Sequence, residues 1–454
     1  MFTRKIERKI TNHLHSNSRK ILLVDGARQI GKSFIIRHIG QTEYRNYVEI
    51  NLIEDSEGPR LFADIKGIEE LYMQISIAAE GKLGNREDTL VFFDEIQVYP
   101  KLLTMLKFLS EDGKFTYIAS GSSLGVALKK SVSIPMGSIE QMHMYPMDFE
   151  EFLLANNTPS DIISKMRNSF TLKESLPESI HSKIMQLFRY YLLSGGIPDA
   201  VKAFVEDKNI PEMRRIQLET HEYYAVDASQ YDAQNSLKIR AVYDTIPSNM
   251  ENKKKRIIAK EIENKKGKSF NSYRAEFEYL IYSGIALDVK AVPTPVFPLA
   301  QGLEKNLLKL YLNDPGILTA LLYGNNINAV LKDQLSINLG SVYESAVASE
   351  LKAHGHSLYY YDNRKKGEVD FLIDDYATLS VLPIEVKSGK DYSTHASLDR
   401  FLNNPDYSVE NAYVFSNSGE IYTEGKITYL PIYMCMFLEN SYDDSSILIP
   451  DISW

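Results

Sequence analysis

The sequence predicts an α/β fold, a parallel sheet covered by helices, and three observations predict it. Residues 26–33 read Gly-Ala-Arg-Gln-Ile-Gly-Lys-Ser and fit G-x-x-x-x-G-K-[ST] at every fixed position. The apolar run 21–24 before them reads as a buried strand, and the apolar segment 34–39 after them continues as a helix. About sixty residues later a second short apolar run, 90–93, ends in Asp94 and Glu95, the pattern of a buried strand delivering acids at its C-terminal end.

Strand, tight loop and helix make the first stretch a P-loop. The loop N–H groups of Gly26, Ala27, Arg28, Gln29, Ile30 and Gly31 and the helix N-terminus converge on one point, where oriented dipoles hold a triphosphate. Lys32 reaches the β- and γ-phosphates, Ser33 offers a hydroxyl to Mg²⁺, and the two glycines let the backbone approach without a Cβ. ATP and Mg²⁺ are therefore the expected ligands.

Residues 1–20 are polar and basic, with Ile6, Ile10 and Leu14 at four-residue spacing, so they form an amphipathic helix laid on the next domain. A second strand is expected over 47–52, a helix over 68–79 and a charged, Gly-containing loop over 80–88. The 90–95 strand is the Walker B pattern. Asp94 holds Mg²⁺ through its water shell, and Glu95 polarises the attacking water. A further strand at 115–119 leads into Ser120-Gly121-Ser122-Ser123, where Ser122 or Ser123 is placed to sense a γ-phosphate, or the serines are a loop or N-cap. A sensor strand beside a Walker B strand with its own glutamate is the arrangement of the additional-strand P-loop ATPases, which include the AAA+ class. Four segments follow: an ATPase core with its N-terminal helix over 1–150, a helical lid over 151–229, a winged-helix-like domain over 230–300 and a nuclease-like α/β domain over 301–454.

The lid is read from aromatic and Leu-rich helical patterns broken at 194–198. Between Lys253 and Lys268 there are eight Lys or Arg against two Glu, followed by a helix-like stretch 270–282 and a strand-like 285–292. Helix, helix and strand suggest a winged helix that contacts DNA through residues 253–283, or else a solvated linker. In the last third, 368–373 alternates acidic and apolar positions before a turn at Asp374 and Asp375, and 382–387 forms a partner strand. Alternation puts Glu385 and Lys387 on one face. A hairpin brings Asp370 to them, and Glu344, from the helix-like 342–351, adds a third carboxylate. Carboxylates beside a lysine are the hard-ligand set of metal-dependent phosphodiester cleavage. The order helix acid, Asp, Glu-x-Lys matches PD-(D/E)xK.

Composition sets limits on this reading. A chain of 454 residues exceeds one ordinary core, and 44% hydrophobic with 24% charged residues provides material for several. The formal charge of −9 confines any nucleic-acid contact to a region. One cysteine, Cys435, and the absence of a charged n-region followed by an apolar h-region fit a cytoplasmic protein. No apolar run reaches the length of about 18 residues that a membrane span needs.

The whole chain resembles the prokaryotic AAA+ family ATPases with a C-terminal DUF4143 region. Residues 26–33, 93–97, 120–123, 145–152, 195–198, 311–316 and the Glu-Val-Asp to Ile-Glu-Val-Lys stretch carry the likeness, over nearly all of 15–390. It implies an ATPase core, a lid, a winged helix and a nuclease-like domain. Family members usually carry Gly-Arg after the sensor strand, where this chain has Gly137-Ser138, so an arginine from elsewhere in the chain or from a neighbouring copy takes that part. The expected function is an ATPase coupled to DNA binding or processing. The alternative is a nucleotide-switched scaffold that controls a protein partner through an inactive nuclease-like domain.

Overall fold

The computed structural model describes residues 2–16, 18–122, 124–126, 137–231, 236–252, 255–263, 269–304, 307–332, 339–363, 365–389 and 392–440. They divide into two compact units: Met1–Met147, Gly196–Tyr243 and Tyr273–Ala286 make the first, and Asp148–Gly195, Asp244–Ser272 and Leu287–Trp454 the second.

The first unit is built on five strands: β1 (Ile21–Asp25), β2 (Asn46–Asn51), β3 (Thr89–Asp94), β4 (Thr116–Gly121) and β5 (Ile139–His143). They lie in the order β2-β3-β4-β1-β5, all parallel. β4 therefore stands between the P-loop strand and the acid-bearing strand, as expected of the additional-strand class. Every residue of β1 and β3 is buried, which is why both read as continuous apolar runs: a parallel sheet is covered on both faces. Leu23, Val91 and Phe93 pack with Leu71, Ile75, Leu102 and Leu106 of the helices Ile68–Ala78 and Pro100–Asp112. Each such side chain contributes about 1.5–3 kcal/mol by leaving water. The N-terminal helix Lys5–Leu14 buries Ile6 and Ile10, and the preceding Arg4 donates to the carbonyls of Ile30 and Tyr145 at 2.9 and 2.7 Å.

The second unit carries an eight-stranded sheet of β6 (Ala286–Ala291), β7 (Leu308–Leu312), β8 (Tyr359–Asn363), β9 (Gly367–Asp375), β10 (Ser380–Val386), β11 (Ala412–Ser416), β12 (Tyr422–Glu424) and β13 (Ile427–Pro431). The order is β12-β13-β11-β10-β9-β8-β6-β7. β8, β9 and β10 form an antiparallel meander, and β11 runs parallel to β10. The helix Gly340–Ala353 packs on β10, and the helix Ala396–Leu402 packs on β9, where Leu398 and Phe401 share a core with Tyr361, Val369, Leu372 and Val381.

Three expectations change. The helices Phe149–Ala155, Ser160–Leu172 and Glu178–Ser194, read as part of a lid, belong to the second unit, where they pack with Pro315–Tyr323, Gly340–Ala353 and the 3₁₀ turn Ile432–Phe437. An apolar helix face says that it is buried and not against what. The strand expected over 285–292 forms, but inside the eight-stranded sheet between β8 and β7 instead of as a wing. Five of its six residues are buried, as an interior strand requires. Much of the basic run, residues 253–254 and 264–268, lies outside the described residues. The β9–β10 turn comes at 376–379, and Asp374 and Asp375 stay in β9 paired with Val381 and Ser380.

Candidate functional site

β1 ends at Asp25, and the chain turns through Gly26 and Gly31, both at positive φ (139° and 95°), into the helix Lys32–Glu43. A Cβ on Gly26 would stand 2.2 Å from the Met144 carbonyl oxygen, so only glycine fits there. Lys32, 5% exposed, donates from Nζ to the carbonyls of Gly26 and Ala27 at 2.9 and 2.7 Å. Burial pulls its pKa down against the charges of Glu95, Asp94 and Asp25. Asp25 is itself held, accepting from Gln141 Nε2 at 3.0 Å and lying 3.1 Å from His143 Nδ1.

The two acids at the end of β3 have different surroundings. Asp94 accepts from Ser33 Oγ at 2.7 Å and from Ser120 Oγ on the neighbouring β4. Burial raises its pKa although both hydroxyls oppose the rise. Hydroxyl and carboxylate oxygens at one point are a hard donor set that fits Mg²⁺. Glu95 adopts a left-handed backbone (φ 55°) that turns its side chain out of the strand line. Its Oε2 accepts from Ser122 N and Oγ at 3.2 and 3.1 Å and from Gln97 Nε2. Burial pushes its pKa up, but Lys32, Gln97 and Arg28 together hold it below its ordinary value, so it stays a carboxylate able to take a proton.

Ser122 thus holds Glu95, and Ser123 lies outside the described residues. Arg28 Nε donates to Ser122 Oγ at 3.2 Å and pairs with Asp227 at 3.1 Å. Asp227 belongs to the helix Ile210–Tyr231, whose Tyr224 hydroxyl donates to the Arg28 carbonyl at 2.9 Å and whose Thr220 hydroxyl donates to Gln29 Oε1 at 2.7 Å. An arginine therefore stands beside the acid pair even though Ser138 occupies the usual arginine place. No local signal marks Thr220, Tyr224 or Asp227, which meet the loop from about 190 residues away.

In the second unit the β9–β10 hairpin brings Asp370 beside Glu385 and Lys387, and Glu344 approaches from the helix Gly340–Ala353. The antiparallel register pairs Phe371 with Ile384, Asp370 Oδ2 accepts from Val386 N at 2.9 Å, and Lys387 Nζ donates to Glu385 at 2.8 Å. Burial and the Asp370 charge push the Glu385 carboxyl up to about 8 against Lys387, and the same two causes raise Glu344. Two further lysines enter. Lys255 pairs with Glu344, and Lys309, 1% exposed, pairs with Glu368 at 2.5 Å. Burial works against the Lys309 charge, but Glu368, Glu344 and Asp370 outweigh it and raise its pKa. Lys309 was findable as a charge inside the apolar run 308–312. The trio is balanced by lysines: among the described residues Glu344, Asp370 and Glu385 do not close to within 4.8 Å of one another, as donors of a single ion do.

Three family models match the chain. The AAA domain model matches residues 18–153, and domain-of-unknown-function models match 185–328 (DUF8612) and 339–435 (DUF4143). The chain thus carries an AAA domain near its N-terminus and a DUF4143 region toward its C-terminus, as the sequence resemblance implies. This AAA-type protein is similar in fold to the Walker-type ATPase of Pyrococcus abyssi, at 16% identity and a TM-score of 0.44, over 71% of this chain and 96% of that one. It is similar as well to the Aeropyrum pernix ORC1 protein solved with DNA, at 12% identity and a TM-score of 0.29, over 74% and 93%. Neither likeness extends beyond fold. No curated protein matches. Among the described residues no helix is long and apolar enough to cross a membrane.

Proposed function

We propose that this AAA-type protein binds ATP with Mg²⁺ at the P-loop and hydrolyses it, and that the nucleotide state governs how the second unit engages DNA. The observation that carries the ATPase part is the joint hold of Ser33 and Ser120 on Asp94, with Glu95 presented separately by Ser122 and Gln97. Mg²⁺ bound there supplies charge neutralisation at the phosphates. Lys32 turns from its loop carbonyls to the β- and γ-phosphates, and Ser33 and Asp94 position the ion. Glu95, kept ionised, orients the attacking water and accepts its proton. Arg28, held against Ser122, neutralises developing charge in place of the missing arginine at Ser138. Among the described residues every side chain of this site comes from one copy, and an oligomer is compatible with that arrangement.

The DNA part rests on the PD-(D/E)xK order of Glu344, Asp370, Glu385 and Lys387 in the sequence. ATP turnover with and without duplex or branched DNA tests it, together with DNA retention at low salt and in Asp370→Ala and Lys387→Ala. Stimulated turnover that these substitutions remove supports the reading. Equal rates and no retention sink it.

One observation favours a second reading. Lysines already stand on Glu344 and Glu385, as in a domain that keeps a nuclease-like fold without cleavage and serves a protein partner. In that case Lys32→Ala abolishes a nucleotide-driven conformational change while Asp370→Ala and Lys387→Ala leave every activity intact.

A further inference from the structure

Three residues of the helix Ile210–Tyr231 grip the crest of the P-loop, all within the first unit. Thr220, Tyr224 and Asp227 follow one another at spacings of four and three, so they share one helix face. Two of them hold the loop itself. The buried Thr220 hydroxyl donates to Gln29 Oε1 at 2.7 Å, and the Tyr224 hydroxyl donates to the Arg28 carbonyl at 2.9 Å. They support a left-handed backbone at Gln29 (φ 60°) that a residue with a Cβ adopts only under constraint. Asp227 instead meets a side chain, its Oδ1 lying 3.1 Å from Arg28 Nη2.

Arg28 is thereby suspended between two carboxylates. While Nη2 pairs with Asp227, Nε donates to Ser122 Oγ at 3.2 Å, and Ser122 Oγ donates to Glu95 Oε2 at 3.1 Å. Glu95 feels the Arg28 charge, and Asp227 lies in the field of Glu95 and Lys32. The Arg28 side chain is 34% exposed, and a pair this open to water adds little to stability. Its consequence lies in where the guanidinium stands. An arginine has about 2 kcal/mol of rotamer entropy and forks readily onto a carboxylate. Released from Asp227, Arg28 turns onto Glu95, which blocks the oxygen that takes the proton from water and draws the cation away from the phosphate. We propose that Asp227 is a positioning residue of the ATPase site: it holds the Arg28 guanidinium on Ser122 and off Glu95, so that one cation stands ready for the γ-phosphate and one carboxylate stays free for the water. This inference rests on the ATPase reading above.

The test measures kcat and KM for ATP with the full chain in wild type, Lys32→Ala, Asp227→Asn, Arg28→Ala and the Arg28→Ala/Asp227→Asn double variant. Asp227→Asn lowers kcat by about 10-fold or more with KM held within about twofold, because the nucleotide is bound and the cation misplaced. Arg28→Ala lowers kcat by about 10²-fold. The double variant is no slower than Arg28→Ala alone, since Asp227 acts through Arg28. A contact that only braces the helix gives a loss that persists in the Arg28→Ala background. Should Asp227→Asn fail to fold, Asp227→Ser takes its place in the cycle. Wild-type kcat in the Asp227 variant, or losses that multiply in the double variant, overturns the inference while Lys32-dependent turnover of wild type upholds the ATPase reading. Wild type without turnover, or turnover that Lys32→Ala leaves intact, overturns both.

Discussion

The P-loop site and the C-terminal acid cluster both gather carboxylates and lysines at a sheet, but they balance charge in opposite ways. In the first, one buried lysine faces Asp25, Asp94 and Glu95 and rests on two carbonyls of its own loop. In the second, Lys255, Lys309 and Lys387 each pair with an acid. A lysine resting on neutral carbonyls exchanges them readily for a phosphate, with the loop and helix N-terminus adding their field. A lysine paired with a buried carboxylate leaves only at the cost of an uncompensated charge. The first site is thus arranged to receive an anion, and the second is held by its own ions.

The largest way to break this contrast is Lys32→Ala. It removes the buried cation that the helix Lys32–Glu43 offers to the phosphates, and ATP turnover falls by about 10³-fold or more while the melting of the second unit is unchanged. Lys309→Met acts in reverse: leaving Glu368, Glu344 and Asp370 without their buried partner costs about 3–5 kcal/mol, read as a lower denaturation midpoint with nucleotide binding retained. Gly26→Ala forces a Cβ against the Met144 carbonyl at φ 139° and costs about 1–3 kcal/mol. It weakens nucleotide binding in the same measurement.

The smallest effect sharpens the comparison through pH. Glu385 titrates near 8 in the folded chain, above its unfolded value of about 4.3. The folded state holds the proton more tightly, so this stabilisation is complete below the unfolded pKa and is lost as pH rises toward 8. Glu385→Gln keeps a neutral side chain throughout. Its stability falls less than that of wild type between about pH 4.5 and 8, a difference in slope that equilibrium unfolding across this range measures. An identical slope for the two proteins removes Glu385 as the titrating group.

Legibility differs between the two sites for a physical reason. The P-loop is contiguous, and its flanking strands are buried on both faces, so motif and apolar runs alone placed β1, β3, β4 and the helix after the loop. The pairing of Asp370 with Glu385 was also readable, because strand alternation and one hairpin bring them together. What surrounds each site was not. Tyr224 and Asp227 come to Arg28 from a helix whose pattern says only that one face is buried, and Lys255 comes to Glu344 from a stretch read as a DNA-facing basic run. The interleaving of the units at Gly195 and Gly196 escaped for the same cause. The apolar run 285–292 was a strand in either reading, and only its pairing partners distinguish a wing from a sheet interior.

The most direct test of the account measures ATP binding and turnover on the same samples of wild type and Glu95→Gln. With Ser33, Asp94 and Lys32 in the proposed role of holding the nucleotide and Glu95 in that of acting on the water, the account predicts unchanged affinity and turnover lower by about 10²-fold or more. Turnover equal to wild type, or affinity lost together with turnover, contradicts it.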